Sequence, residues 1–226
     1  MNTNEHAQEA FFLRQLTKLF LVAVMIFPCL TLKSQESPLK VYPTFGVSIG
    51  FFYPSDVNDY IESTLGSFYS TEFGSEDMFM YLELYGGVAF RLKRMDVTGF
   101  LEYALAPKWV VVTNGDDISF TFSRISPGVN ANYYIPIGSG KHALFVGGGI
   151  QYHIMDFEEF YASAPGFRLQ AGISLQFGKF NIQPYGAFKY ARATDSDNDL
   201  GGDFDLNYTG GQIGFFFSFH PAIENK

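Results

Sequence analysis

The chain has 226 residues, of which 47% are hydrophobic and 18% aromatic but only 17% charged; the formal net charge is −8 and there is one cysteine. The length suits a single domain. The negative balance argues against nucleic acid as a partner, and a lone cysteine excludes a disulfide framework.

Residues 1–34 read as a cleavable secretory signal peptide. Arg14 and Lys18 form a basic flank, Leu19 to Leu32 is an apolar run of secretory length, and Ser34 offers a small residue before Gln35-Glu36. The run is short for a membrane helix and Pro28 interrupts it. Cys29 lies inside the run, behind Phe27-Pro28 rather than the small residues that lipidation needs, so residues 35–226 carry no thiol. The leader holds three Lys/Arg and two Asp/Glu, and the domain 35–226 is left with a net charge of −9.

After the leader, apolar residues recur at every second position. Phe167, Leu169, Ala171, Ile173, Leu175 and Phe177 alternate with Arg168, Gln170, Gly172, Ser174 and Gln176. A period of two is the mark of a strand whose faces meet different surroundings. Eight such segments are predicted, at 41–53, 78–91, 97–113, 118–135, 143–155, 166–177, 180–192 and 207–219. Each reaches the roughly 9 to 11 residues with which a tilted strand crosses a hydrocarbon layer. The apolar faces include Val41, Phe45, Val47, Ile49 and Phe51 in the first strand and Ile213, Phe215, Phe217 and Phe219 in the last.

The connections are expected to alternate in length. Short turns fall around Lys93-Arg94, Pro136–Gly140 and Gly178-Lys179, whereas Pro54–Asp77, Asn114–Asp117, Asp156–Pro165 and Ala193–Leu206 form the opposite set. That second set holds 16 of the 21 acidic residues outside the leader. Short turns on one side and longer loops on the other is the outer-membrane pattern. The opposite assignment, a soluble barrel with apolar residues inside, is disfavoured by a polar face of Gly, Ser, Asn, Gln and Tyr that is poor in Lys and Glu. Tyr42, Phe51, Tyr53, Tyr133, Tyr134, Tyr152, Phe167, Phe177, Phe180 and Tyr190 near strand ends, with Trp109, resemble an aromatic girdle. The expected fold is therefore all-β: an eight-stranded antiparallel up-and-down transmembrane barrel.

With its signal, its whole-chain periodicity and its closing segment Tyr208–Phe219, the chain resembles the small outer-membrane β-barrel proteins of Gram-negative bacteria, especially the PorT-like barrels of the Bacteroidetes. The resemblance implies outer-membrane lipid as the surroundings and the barrel-insertion machinery as a partner, which would read that closing segment. His220–Lys226 after the aromatic depart from the usual form. An accessory role in a secretion or gliding apparatus is a further implication.

Glu83, Glu102, Arg124, Arg168 and Lys189 all fall on the polar face of their strands. A charge in a narrow lumen costs several kcal/mol unless paired, and eight strands leave an interior that side chains just fill. The expectation is an ion-pair network that plugs the barrel; the alternative is a gated channel. Asp195, Asp197, Asp199, Asp203 and Asp205 alternate as calcium ligands would, but Leu200 and Leu206 break the EF-hand register, leaving at most a weak cation site. No nucleotide, zinc or phosphate motif appears, so neither cofactor nor metal is expected. Catalysis would need a nucleophile beside a histidine; only His153 faces the lumen, and no serine lies two or four residues from it on its own strand. A non-enzymatic role follows. The first connection, with Tyr60, Phe68, Tyr69 and Phe73 and no Lys or Arg, is the candidate surface for a protein partner.

Overall fold

The computed structural model describes residues 39–53, 59, 69–70, 79–112, 117–138, 141–157, 160–195 and 204–219. The expected leader, residues 1–34, lies outside them. The strands are β1 (Leu39–Phe52), β2 (Tyr69–Ser70), β3 (Phe79–Leu92), β4 (Met95–Val112), β5 (Asp117–Ile137), β6 (His142–Phe157), β7 (Phe160–Phe177), β8 (Phe180–Asp195), β9 (Phe204–Asn207) and β10 (Gly210–Phe219). All pairings are antiparallel, and β10 pairs with both β8 and β1, so the sheet closes on itself. β9 and β10 continue one ladder along β8, since Arg192↔Asn207 and Lys189↔Gly210 share a register. They make one interrupted strand. β2 is a two-residue addition to β4. Among the described residues the result is a closed barrel of eight strands joined up and down.

The register fixes the barrel's shape. Following lateral partners from Leu39 through Leu92, Met95, Tyr133, Val146, Ala171, Gly186 and Ile213 returns to β1 at Ile49, ten residues further on. That stagger over eight strands corresponds to a strand tilt of about 40°. A barrel of this size has an interior that side chains fill.

The distribution of side chains is the reverse of a soluble barrel's. Large apolar residues stand exposed on the outside, among them Met80 (59%), Leu84 (55%), Ile150 (72%) and Ile213 (69%). The inside buries Glu83, Glu102, Arg124, Arg168 and Lys189. On β3 the exposed apolar band runs from Met80 to Leu92; at about 3.3 Å per residue and this tilt, it spans roughly 30 Å of barrel height.

Strand bounds depart from the sequence expectation at the long-connection end. The connection expected at Asp156–Pro165 is mostly strand, because β6 runs to Phe157, β7 starts at Phe160, and these two residues pair. The one expected at Ala193–Leu206 is likewise shortened by β8 and β9. The physical reason is an inversion of polarity. Here the inner face becomes apolar, with Ala162, Ala164, Ala191 and Ala193 buried, while Ser163, Arg192 and Thr194 point outward. Two girdle assignments also change. Tyr42 and Tyr134 point into the lumen and are buried, whereas Phe51, Tyr53, Tyr133, Tyr152, Phe167, Phe177 and Tyr190 face outward.

At the other end three tight turns use the left-handed region: Lys93 (φ 56°), Gly138 (φ 57°) and Gly178 (φ 62°). Glycine adopts this conformation without steric cost. Lys93 does not.

Candidate functional site

The lumen is built in layers. Its middle layer gathers Glu83 from β3, Glu102 from β4, Arg124 from β5, Arg168 from β7 and Lys189 from β8. Each projects inward because it occupies the alternate set of its strand. Arg124 Nη2 donates to Glu83 Oε2, and Arg168 Nη1 donates to Glu102 Oε1. Lys189 bridges the two acids, its Nζ lying 2.5 Å from Glu83 Oε2 and 2.6 Å from Glu102 Oε2. Polar neighbours complete the coordination. Gln151 Nε2 donates to Glu102 Oε2 at 2.5 Å, and Ser48 Oγ donates to Glu83 Oε1 at 3.3 Å. Gln212 Nε2 reaches the Tyr185 hydroxyl at 2.7 Å.

Three cations against two carboxylates leave one positive charge over. Aromatic faces take it up. The Arg124 guanidinium lies 3.9 Å from the Tyr208 ring centroid, and that of Arg168 lies 5.1 Å from Tyr185 and 5.3 Å from Phe216. Ring quadrupoles attract cations most strongly where water is excluded.

Aromatic layers close the cluster on both sides. Toward the long connections, Phe52, Phe79, Tyr81, Phe122, Phe157 and Tyr208 pack together, with Phe122 and Tyr208 stacked at 5.5 Å. Toward the turns, Tyr85, Phe100, Tyr134, Phe145, Tyr185 and Phe216 form a second layer, with Tyr185 and Phe216 parallel at 4.1 Å. Inward glycines make room for these rings: a Cβ on Gly50 would sit 2.2 Å from Tyr81 Cζ.

Below this second layer lies another buried ion pair that the sequence reading missed. Arg91 Nη2 contacts Asp96 Oδ2 at 3.0 Å. Asp96 also accepts from Tyr42 at 2.9 Å, Tyr134 at 2.6 Å and Asn132 at 3.0 Å. The expected strand bounds at 91 and 97 left Asp96 in a turn. The signal that could have found it is the spacing: two strands joined by a two-residue turn make Arg91 and Asp96 lateral partners. A cavity of about 10 Å³ beside this pair, lined by Thr44, Thr98, Asn130 and Ser218 among others, is the size of a single water.

His153 is wholly buried, and its Nδ1 lies 2.8 Å from Ser126 Oγ and 3.4 Å from Arg124 Nη1. The serine comes from the neighbouring strand, which a search along His153's own strand does not reach. Both side chains have zero exposure, and His153 Nε2 has no hydrogen-bond partner among the described residues. A nucleophile of the serine–histidine type needs a third group to orient the base and a route for substrate. Among the described residues no third group accepts from His153 Nε2, and both side chains are fully buried.

The remaining candidates fall at the long-connection end. Asp195 and Asp205 are strand residues, paired with Phe204 and Thr194 respectively, while Asp197, Asp199 and Asp203 lie outside the described residues. Tyr69 pairs with Val112, and Tyr60, Phe68 and Phe73 also lie outside the described residues.

In fold the chain is similar to Neisserial surface protein A: the TM-score is 0.52 at 9% sequence identity, over 81% of this chain and 97% of that one. At this identity the likeness concerns the barrel alone. No family model matches the chain, and no curated protein matches it in sequence.

Proposed function

We propose that the protein is a non-enzymatic β-barrel of a Gram-negative outer membrane, with a lumen closed by its own side chains and with structural, adhesion-type or envelope-assembly duties carried by the long-connection end. The observation behind this reading is the inverted distribution of polarity. An exposed apolar band about as tall as a hydrocarbon layer surrounds buried charges, and such surfaces are stable only in lipid. The short turns and both ends of the sheet, Leu39 and Phe219, share one rim, which in this class of barrel faces the periplasm. Residues 1–34 as an export leader fit the same location.

The sealed Ser126–His153 pair supports a non-catalytic role. The aromatic and acidic first connection, with Tyr60, Phe68, Tyr69 and Phe73, is the partner surface we favour, and the closing segment Tyr208–Phe219 is the stretch we assign to the insertion machinery. The PorT-like resemblance is the finer form of this reading and rests on whole-chain periodicity.

Residues 35–226, refolded in lipid vesicles, test the proposal. Heat-modifiable gel mobility is expected, together with an electrically silent barrel in planar bilayers. Steady discrete currents would instead make the charge cluster the lining of a pore.

A further inference from the structure

Among the described residues, the exposed charges of the turn rim all have one sign. Lys93 and Arg94 occupy the β3–β4 turn, Lys141 follows the β5 turn, and Lys179 occupies the β7–β8 turn; all four are exposed. The one described carboxylate at this rim, Asp96, is buried against Arg91. In the sequence, 16 of the 21 acidic residues outside residues 1–34 fall in the other set of connections.

Each cation follows directly on the exposed apolar band. Leu92 and Met95, both half-exposed, flank Lys93-Arg94; Ile137 leads into the turn that ends at Lys141; Phe177 leads through Gly178 to Lys179. One residue of strand advances only about 3.3 Å. The ammonium and guanidinium groups therefore stand just outside the hydrocarbon edge, at the depth where phospholipid phosphates lie. They belong to three separate turns, so the basic charge is spread around the rim.

We propose that this basic rim is a docking surface for the phosphate groups of anionic phospholipids in the leaflet at the turn end. The proposal rests on the membrane-barrel reading and adds to it a preferred lipid charge. Basic side chains near an anionic lipid surface are attracted to it until salt screens them. The attraction also opposes inversion of the barrel, because the acidic end would meet the same phosphates with repulsion.

The test compares refolding in phosphatidylcholine vesicles with refolding in phosphatidylcholine–phosphatidylglycerol vesicles. Thermal unfolding is followed by the gel-shifted folded band. The wild-type midpoint is expected to rise by several degrees with phosphatidylglycerol and to fall back at about 1 M salt. The variant Lys93→Gln/Arg94→Gln/Lys141→Gln/Lys179→Gln is expected to match wild type in neutral vesicles and to gain nothing from phosphatidylglycerol. If it does not refold, Lys141→Gln and Lys179→Gln are each expected to lose part of the gain. An equal gain in wild type and variant, or none in wild type, overturns the proposal. Inorganic phosphate reproducing the gain in neutral vesicles also overturns it, in favour of a free anion. Failure to fold in any vesicle overturns the barrel reading itself and is thereby distinct.

Discussion

Tyr208 lies over Arg124, with the guanidinium carbon 3.9 Å from its ring centroid, at the point where the last strand is interrupted between β9 and β10. The same ring packs on Phe52 at 4.6 Å and Tyr81 at 5.3 Å, so one side chain covers the charge cluster and joins the apolar layer above it. Removing a buried ring of this size costs about 3–5 kcal/mol. Tyr208→Ala is expected to lower the urea midpoint of the vesicle-refolded barrel accordingly. Tyr208→Phe keeps the ring and removes only the hydroxyl; its midpoint is expected to stay close to that of wild type, within the roughly 1 kcal/mol that one hydrogen bond contributes.

Glu102 receives both Arg168 and Lys189. Glu102→Gln leaves these cations facing a neutral amide in a fully buried site, and breaking a buried pair from one side costs roughly 3–5 kcal/mol. Pairing it with Arg168→Met is expected to recover part of the loss. A double-mutant cycle on urea unfolding measures the recovery, and strictly additive losses would show that the two residues do not act together.

Lys93 holds a left-handed backbone that L-residues adopt at a cost of about 1–2 kcal/mol. Its side chain is exposed at a two-residue turn, so Lys93→Gly is expected to raise stability by about 1 kcal/mol after the flexibility of the unfolded chain is counted. Equilibrium urea titration in neutral vesicles reads this directly. A lower midpoint would mean that the side chain matters more than the turn.

Gly147 and Gly99 offer a matched comparison. A Cβ on Gly147 would lie 2.0 Å from Asn132 Oδ1 and 2.5 Å from the Ala131 carbonyl oxygen, whereas one on Gly99 meets nothing within 4 Å. Gly147→Ala is expected to destabilise the barrel by about 1–3 kcal/mol, the usual range for overpacking. Gly99→Ala is expected to change it little. Equal midpoints for the two variants would argue against a tightly packed lumen.

Much of the barrel was legible because lipid and lumen impose opposite demands on alternate residues. Phe45, Val47, Ile49 and Phe51 announce β1 without any partner being known, since no other arrangement separates them from Gly46, Ser48 and Gly50. That logic fails where its premise fails. At Tyr161–Ala164 and Arg192–Thr194 the outside is polar and the inside apolar, so the alternation has reversed sign, and the chain at 156–165 and from Ala193 onward reads as loop. The five central charges could be assigned to the polar face from periodicity. That they pair as a network was expected; which cation each carboxylate takes was not, because it depends on a ten-residue stagger between distant strands. Ser126 beside His153 and Tyr208 over Arg124 belong to the same class of facts, each set by lateral register between strands, whereas the Arg91–Asp96 pair, five residues apart across one turn, was within reach of the spacing alone.

The barrel closes through nine residue pairs between β1 and β10, from Thr44↔Ser218 to Phe52↔Gly210, and these join parts of the chain that are far apart in sequence. The remaining strands pair with sequence neighbours across turns and can assemble hairpin by hairpin. Until β10 arrives, that curved sheet has two open edges with unpaired backbone groups, which neither water-free lipid nor a neighbouring unfinished barrel leaves idle. The closing seam thus sets both the slow step of assembly, through its long loop closure, and the moment at which the chain stops being a hazard to its own copies.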